Sequence, residues 1–600
     1  MKFLLVALNS KYIHSNPAIY SLRAYAGAEY REHIEIAEYT INNQLQEIMA
    51  DIYLRKPDVI GFSCYIWNWS MIQELLMEVH KLLPDVPIWL GGPEVSFDAS
   101  EILQKYPQVN GIMLGEGEAT FKELVGFYLG NAKLCEANRE ADVDGTADKV
   151  SDEMAKTLAD IAGLCLPSGY TQPRELTNIS ELPFLYDDLE PFANKIIYYE
   201  SSRGCPYRCS YCLSSIDKTV RLRDINVVKR ELQFFLDHKV KQVKFVDRTF
   251  NCNHEHAMEI WRYIHEHDNG VTNFHFEVSA DILKEDQIQL LNQMRPGLAQ
   301  LEIGVQSTNP DTLRAIDRVM NVERLEGIVD SINRGQNVHQ HLDLIAGLPY
   351  EDYGSFAESF NRVYAMKPEQ LQLGFLKVLK GSKMHDCAGE YEICYMSKPP
   401  YEVLYTKWLS FDDVLRLKRI EEMVELYYNS NQYTHTIPFL VRAFETPFAM
   451  YEAMADFYEE KGFFVNSPAR AYRYNVLLEF AKEYDSEHEA VYKELLTYDM
   501  YLRENLKSRP DFATDITSFK EQVRDFYQKE AQERILLPDY QQYDWKQLSK
   551  MTHLEPFYYP VWDVELLTEA HAAKEPSYVL FDYQNRNALT YEANVKVLMA

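Results

Sequence analysis

At 600 residues the chain is too long for one hydrophobic core, so about two to four domains are expected. With 46% hydrophobic and 25% charged residues, it has the composition of a folded globular protein. Its 61 basic and 91 acidic side chains, a net charge of −30, argue against a broad nucleic-acid surface while leaving room for a local basic cleft.

The opening "MKFLLVALNSKY" has too short an apolar run for a signal peptide, and its alternation suits a buried strand. No stretch approaches the roughly 20 apolar residues of a membrane helix. Nine cysteines, three of them clustered, fit a reducing compartment, so a cytoplasmic protein is expected.

Strand-like and helix-like segments then alternate: "KFLLVAL", "PAIYSLRAYAGAEY", "HIEIAEY", "NQLQEIMADIYLRK", "PDVIGFSCY", "SMIQELLMEVHKLL", "PIWLGGPE" and "VNGIMLGEGEATFKELVGFYL". This is the pattern of a doubly wound, Rossmann-like α/β domain over residues 1–135, whose ligand sits beyond the carboxyl ends of its strands. Gly91 and Gly92, and Gly115, Glu116 and Gly117, lie at two such ends, where a missing side chain lets backbone approach a ligand. Each is equally readable as an ordinary strand-to-helix turn. No G-x-G-x-x-G follows the first strand, which disfavours a dinucleotide.

Residues 136–195 read as a proline-containing, polar linker. Six strand–helix units follow over 196–385, with strands in "IIYYES", "KQVKFVDRTF", "NFHFEVSA", "AQLEIGVQS", "HQHLDLIAGLP" and "EQLQLGFLKV". Six is short of a closed eight-strand barrel and predicts a partial (βα)6 barrel, with its polar site at the carboxyl ends. Residues 386–600 have helical periodicity, are rich in Tyr and Glu, and end in a predicted β-hairpin over 577–598.

The barrel's first strand runs into "YYESSRGCPYRCSYCLSS", which spaces Cys205, Cys209 and Cys212 as C-x3-C-x2-C. Tetrahedral zinc wants four ligands and a redox pair two. Three thiolates on a [4Fe–4S] cluster leave one iron open to a small ligand. Gly204 and Pro206 shape such a loop, and Arg203 and Arg208 would offset the cluster's charge. The competing reading is a zinc site recruiting Cys252, His254 or His256.

This loop, after the first strand of a partial barrel, resembles that of the radical S-adenosylmethionine (SAM) enzymes. The resemblance implies that the free iron chelates the amino and carboxylate groups of SAM. One electron then cleaves the C–S bond to a 5′-deoxyadenosyl radical. It puts the aromatic Tyr211 at the cofactor, just before the last cysteine. "FHFEVSADIL", "IGVQSTNPDTLRAIDR" and "LDLIAGLPYED" resemble the coproporphyrinogen-oxidase-like branch. That branch's pattern assigns Glu277 to SAM, Gln306 to its ribose, Arg318 to its carboxylate, Asp343 to the ribose and Gly347 to the adenine. A sulfonium zwitterion does need carboxylate and guanidinium partners. Asp247 and Thr249, at the end of the second strand, either face substrate or serve structure.

Residues 1–130, with "GGPE" and "GEGE" turns, resemble the cobalamin-binding domain of cobalamin-dependent radical SAM proteins. The D-x-H-x-x-G cobalt-ligand motif is absent, so His14 reads as a loop residue and the lower face of cobalt is left open. Trp67 and Trp69 pack on the corrin or in the core. The last third resembles an uncharacterised domain that follows this pair, and as a helical cap it would close the open side of the barrel. The resemblance implies a [4Fe–4S] cluster, SAM and cobalamin, used for methyl transfer to an unactivated carbon. Rearrangement or other non-methylating radical chemistry is the alternative. A methylthiotransferase would need a second cysteine triad, and a non-enzymatic sensor would not need the SAM contacts. Expected partners are a small-molecule or peptide substrate and an electron donor such as flavodoxin or ferredoxin, with neither membrane nor nucleic acid.

Overall fold

The computed structural model describes residues 1–144, 157–569 and 572–598. Two compact units emerge. One comprises 1–290, 313–320 and 375–407, and the other 291–312, 321–374 and 408–600.

The first unit begins with a sheet of seven strands: β1 (Phe3–Asn9), β2 (Ile34–Thr40), β3 (Val59–Ser63), β4 (Ile88–Gly91), β5 (Val109–Met113), β6 (Leu164–Leu166) and β7 (Gly169–Tyr170). Their order is β2-β1-β3-β4-β5-β6-β7, parallel through β5 and antiparallel beyond it. β1 and β3 are buried along their whole length, as expected of parallel strands covered on both faces. The order in which strands are connected reverses between β1 and β3, and a doubly wound sheet opens its ligand crevice at such a point. Helices Pro17–Ala26, Leu45–Arg55 and Trp69–Leu82 connect these strands.

Two departures from expectation fall in the linker. Backbone 136–144 continues the helix Gly117–Asp144, and β6 and β7 extend the sheet within what reads as irregular chain. Strands of three and two residues are too short to display alternation, so their assignment comes from hydrogen bonding to the exposed edge of β5. The acidic stretch 145–156 lies outside the described residues.

The barrel strands carry the expected strand–helix alternation. In the first unit, β8 (Ile197–Tyr199), β9 (Gln242–Phe245) and β10 (Asn273–Val278) are parallel neighbours. In the second, β11 (Ala299–Gln306) and β12 (His339–Ala346) are parallel, with β13 (Gln370–Phe375) beside β12. Helices Phe411–Val424, Pro447–Glu460, Arg473–Tyr484, Glu489–Arg503 and Lys520–Glu533 dominate the remainder. The predicted terminal hairpin is present as β15 (Ser577–Asp582) and β16 (Asn594–Leu598). It gains a third antiparallel strand, β14 (Thr552–Phe557). Among the described residues no helix is long and apolar enough to cross a membrane.

Packing of the first sheet turns on Trp89, fully buried, whose Nε1 donates to Tyr128 Oη at 2.9 Å. Its ring occupies the space beside Gly111, where a Cβ would come within 2.5 Å of ring carbon and 3.1 Å of the Cys165 carbonyl oxygen. Neither neighbour can withdraw, so Gly111→Ala is expected to destabilise by about 1–3 kcal/mol. A lowered denaturant midpoint for the tryptophan signal, with unchanged slope, checks it.

Candidate active site

The cysteine loop starts from a pinned strand end. Beyond β8, the Asp247 carboxylate accepts from Ser201 N at 2.9 Å and Ser201 Oγ at 2.8 Å, and from the amide and hydroxyl of Ser202, the latter at 3.0 Å. Asp247 is fully buried, and burial outweighs these donors enough to push its pKa up to about 7. Of the two roles open to it in the sequence, it occupies the structural one.

Ser202–Arg203 pairs antiparallel with Arg221–Leu222, folding the loop back on itself. Gly204 has φ +97°, and a Cβ there would overlap the Thr219 carbonyl oxygen, so only glycine fits. Cys205 N donates to Asp217 O at 3.3 Å, Cys212 N to Cys209 O at 3.1 Å, and Ser210 N to Ile316 O at 2.9 Å. Cys205 Sγ lies 3.5 Å from Thr249 Oγ1. Arg318 Nη1 lies 3.7 Å from Cys209 Sγ and 3.5 Å from Tyr211 Oη, which gathers Cys209, Tyr211 and Arg318. Burial raises the pKa of the Cys209 thiol, with Arg318 pulling against it, and burial likewise raises the Tyr211 phenol.

All three cysteines are free thiols. Among the described residues no three His, Cys, Asp or Glu side chains converge tightly enough for a single metal ion. A cubane asks for less, because each thiolate takes a different iron, and this donor set fits a [4Fe–4S] cluster. The histidines of the zinc alternative are engaged elsewhere: His254 Nε2 with Asp286 Oδ2 at 3.0 Å, His256 Nε2 with Ser201 Oγ at 3.3 Å.

Glu277 is half-buried on β10, between Phe276 and Val278. Gln306 and Asp343 belong to the second unit, on the paired strands β11 and β12, where Gly304 faces Asp343 and the register shifts before Gln306. That bulge carries Gln306 at φ +71°, with its Oε1 buried and lacking a hydrogen-bond partner. A strained residue with an unanswered acceptor is what a ligand hydroxyl would satisfy. Asp343 Oδ1 lies 3.0 Å from His341 Nε2, and Gly347, at φ +87°, turns the chain just after β12.

Two adjoining cavities, about 560 and 930 Å³, share Tyr65, Pro93, Gly115 and Gly117 in their walls. The smaller is lined by Gly91 and Gly92 and by Leu213, Ile216 and Asp217 of the cysteine loop. The larger is lined by Glu116, Arg203 and Gly204. A Cβ on Gly115 would meet nothing within 4 Å, so the turn borders open space, as a bulky planar ligand requires. On Gly92, at φ +115°, it would overlap the Cys64 carbonyl oxygen.

The Glu116 carboxylate accepts from Thr177 N at 2.7 Å and pairs with Arg221 at 2.5 Å and Arg203 at 3.3 Å. These partners outweigh its burial, which opposes them, and hold its pKa down at about 2. Arg203 also meets Glu118 at 3.0 Å and Glu200 at 2.7 Å. Sequence reading overlooked Arg221, whose partners Glu116 and Thr177 are far away in the chain. Trp69 lies in the core, while Trp67 is 43% exposed and stacks on Tyr65 at 4.4 Å. His14 Nδ1 meets Tyr198 Oη at 2.5 Å.

Three family models match the chain: the B12 binding domain over residues 4–125, the radical SAM superfamily over 199–363, and a protein of unknown function (DUF4080) over 389–581. A cobalamin-dependent radical SAM methyltransferase, TokK of Streptomyces tokunonensis, is 26% identical across 55% of this chain and 48% of its own. An anaerobic magnesium-protoporphyrin IX monomethyl ester cyclase of Synechocystis is 26% identical across 45% of this chain and 52% of its own. The chain thus spans about half the length of these curated relatives. The cobalamin-dependent SAM radical enzyme OxsB, solved with aqua-cobalamin, shares the fold at TM-score 0.56, with 14% identity over 83% of this chain and 78% of its own. In succession, then, the chain is similar to a B12 binding domain, to the radical SAM superfamily and to the DUF4080 domain, each over its own segment.

Proposed function

We propose that this protein is a cobalamin-dependent radical SAM enzyme that cleaves SAM reductively and methylates an unactivated carbon. One observation carries the reading: a three-thiol loop and the glycine turns of the α/β sheet wall the same pair of adjoining cavities. When bound, the cluster, SAM and cobalamin supply an electron, a radical precursor and a methyl carrier.

The chain's own residues prepare the site. Cys205, Cys209 and Cys212 hold the iron–sulfur group. Arg318, lodged beside Cys209, offers a guanidinium to a carboxylate. Within the second unit, the orphaned Gln306 Oε1 is an acceptor for a ligand hydroxyl, and Asp343 on the neighbouring strand is another. Glu277 faces the ammonium end. Gly91, Gly92, Gly115 and Gly117 bring backbone to the corrinoid, with Glu116 fixing their turn against the cysteine loop. Residues 1–135 serve the corrinoid and 196–385 the cluster and SAM, joined by 136–195 and followed by a mostly helical domain over 386–600. A non-methylating radical reaction is the second reading, favoured by the cyclase among the relatives. Isotopic label from the SAM methyl group, found in the product or absent from it, separates the two.

Anaerobic reconstitution with iron, sulfide and hydroxocobalamin is expected to load about four irons and one corrinoid per chain, and reduction to release 5′-deoxyadenosine. Replacing Cys205, Cys209 and Cys212 with Ala is expected to abolish cluster and cleavage together, and retention of either refutes the assignment. Gly204→Ala, forced against the Thr219 carbonyl, is expected to cut iron loading while corrinoid is kept. Gly115→Asn tolerates the left-handed backbone but fills the cavity, so corrinoid binding should weaken about tenfold or more, at 1.4 kcal/mol per decade, with iron content intact. Equilibrium dialysis measures it.

A further inference from the structure

The cysteine loop borders a further groove, about 730 Å³, whose charge runs against that of the whole molecule. Arg208, Lys218, Arg314, Arg318 and Lys383 line it against a single acid, Asp317. The chain as a whole has 61 basic and 91 acidic side chains. Arg208, Lys218, Arg314 and Lys383 are solvent-exposed. Asp317 pairs with Lys383 at 2.6 Å. Apolar surface accompanies the charge: Pro206 is exposed, and Val319 is 77% exposed. Pro206, Tyr207 and Arg208 lie between Cys205 and Cys209, so a body seated here touches the covalent loop that carries the thiols.

We propose that this groove is the docking surface for an acidic one-electron carrier protein. The inference rests on the reading that the loop holds a cluster. In the step it serves, one electron leaves the reduced carrier, which is oxidised by one electron. The iron–sulfur group on Cys205, Cys209 and Cys212 is reduced by one, and no bond or proton is exchanged. A chain of net charge −30 repels an acidic protein in general and attracts it only where cations gather. The field is screened within about 8 Å at physiological salt, so a compact carrier feels the groove, whereas an extended nucleic acid would also lie along acidic surface. A small basic patch with an apolar fringe matches the limited, wet, rapidly dissolving contacts of electron-transfer pairs.

The test titrates the cluster-loaded protein with flavodoxin, reading binding by flavin fluorescence anisotropy and electron transfer by stopped-flow oxidation of the flavin hydroquinone. Raising salt from about 0.05 to about 0.3 M should weaken binding, and the double change Lys218→Glu, Lys383→Glu should weaken it about tenfold at low salt and slow the oxidation alike. Iron content and dithionite-driven SAM cleavage should stay at the parent level. The milder pair Lys218→Gln, Lys383→Gln should move binding in the same direction by a smaller factor, which covers poor folding of the reversed variant. Flavodoxin binding that ignores both salt and these substitutions overturns the proposal. So does a variant that loses affinity for a short DNA duplex while keeping it for flavodoxin. Failure of dithionite-driven cleavage in the parent protein counts against the cluster assignment instead, and the anisotropy result still decides the docking surface.

Discussion

One fully buried carboxylate sets the direction in which the cysteine loop leaves the barrel. Asp247 accepts from both the amide and the hydroxyl of Ser201 and of Ser202, so four donors converge on it. Burying an acid without partners costs several kcal/mol, and these donors offset that cost only in part, leaving the group's pKa at about 7. In return, two successive residues lose their freedom at the point where β8 ends. Gly204 then turns against the Thr219 carbonyl, and Cys205 follows at once. The placement of the cysteine loop thus depends on this anchor.

A second constraint joins the loop to the α/β sheet. Arg203, one residue beyond the Asp247 anchor, faces Glu116 and Glu118 of the "GEGE" turn as well as Glu200, while Arg221 from the returning strand also holds Glu116. Exposed ion pairs contribute little, but these are partly buried and mutually oriented, and their role is register more than stability. A similar knot stands at the other turn. Glu94 of "GGPE" accepts from the Tyr401 hydroxyl, and Lys380 lies 3.6 Å from Glu94 and 2.7 Å from Asp98. Burial raises the Glu94 carboxyl despite these partners. Both glycine turns are thus clamped by charges on their flanks, and Gly115 borders open space.

Much of the architecture was legible because periodicity is a local property. The parallel strands β1 and β3 read as apolar runs, and the helices between them kept their spacing. What escaped was either too short or too remote. β6 and β7 contain three and two residues, and only pairing at a sheet edge gives them a reason to be strands. Asp247 could not be assigned between substrate and scaffold from its own neighbourhood, since its partners are 45 and 46 positions away. Trp67 and Trp69 look alike in sequence, yet one stacks in the open and the other is in the core, because Trp67 lies in the turn before the helix and Trp69 is its first residue.

The sequence by itself determined the cysteine motif. Three thiols within eight residues, introduced by a glycine that must adopt a left-handed conformation, form a covalently local pattern that distant packing cannot alter. It also determined the order of the α/β, barrel and helical regions. Tertiary structure decided the electrostatics around that loop: that Arg318 lies against Cys209, that Arg221 reaches Glu116 across 105 positions, and that cations gather on one face of an acidic chain. Coulomb and hydrogen-bond energies depend on distances through space. Those distances exist only after strands far apart in the chain have been brought side by side.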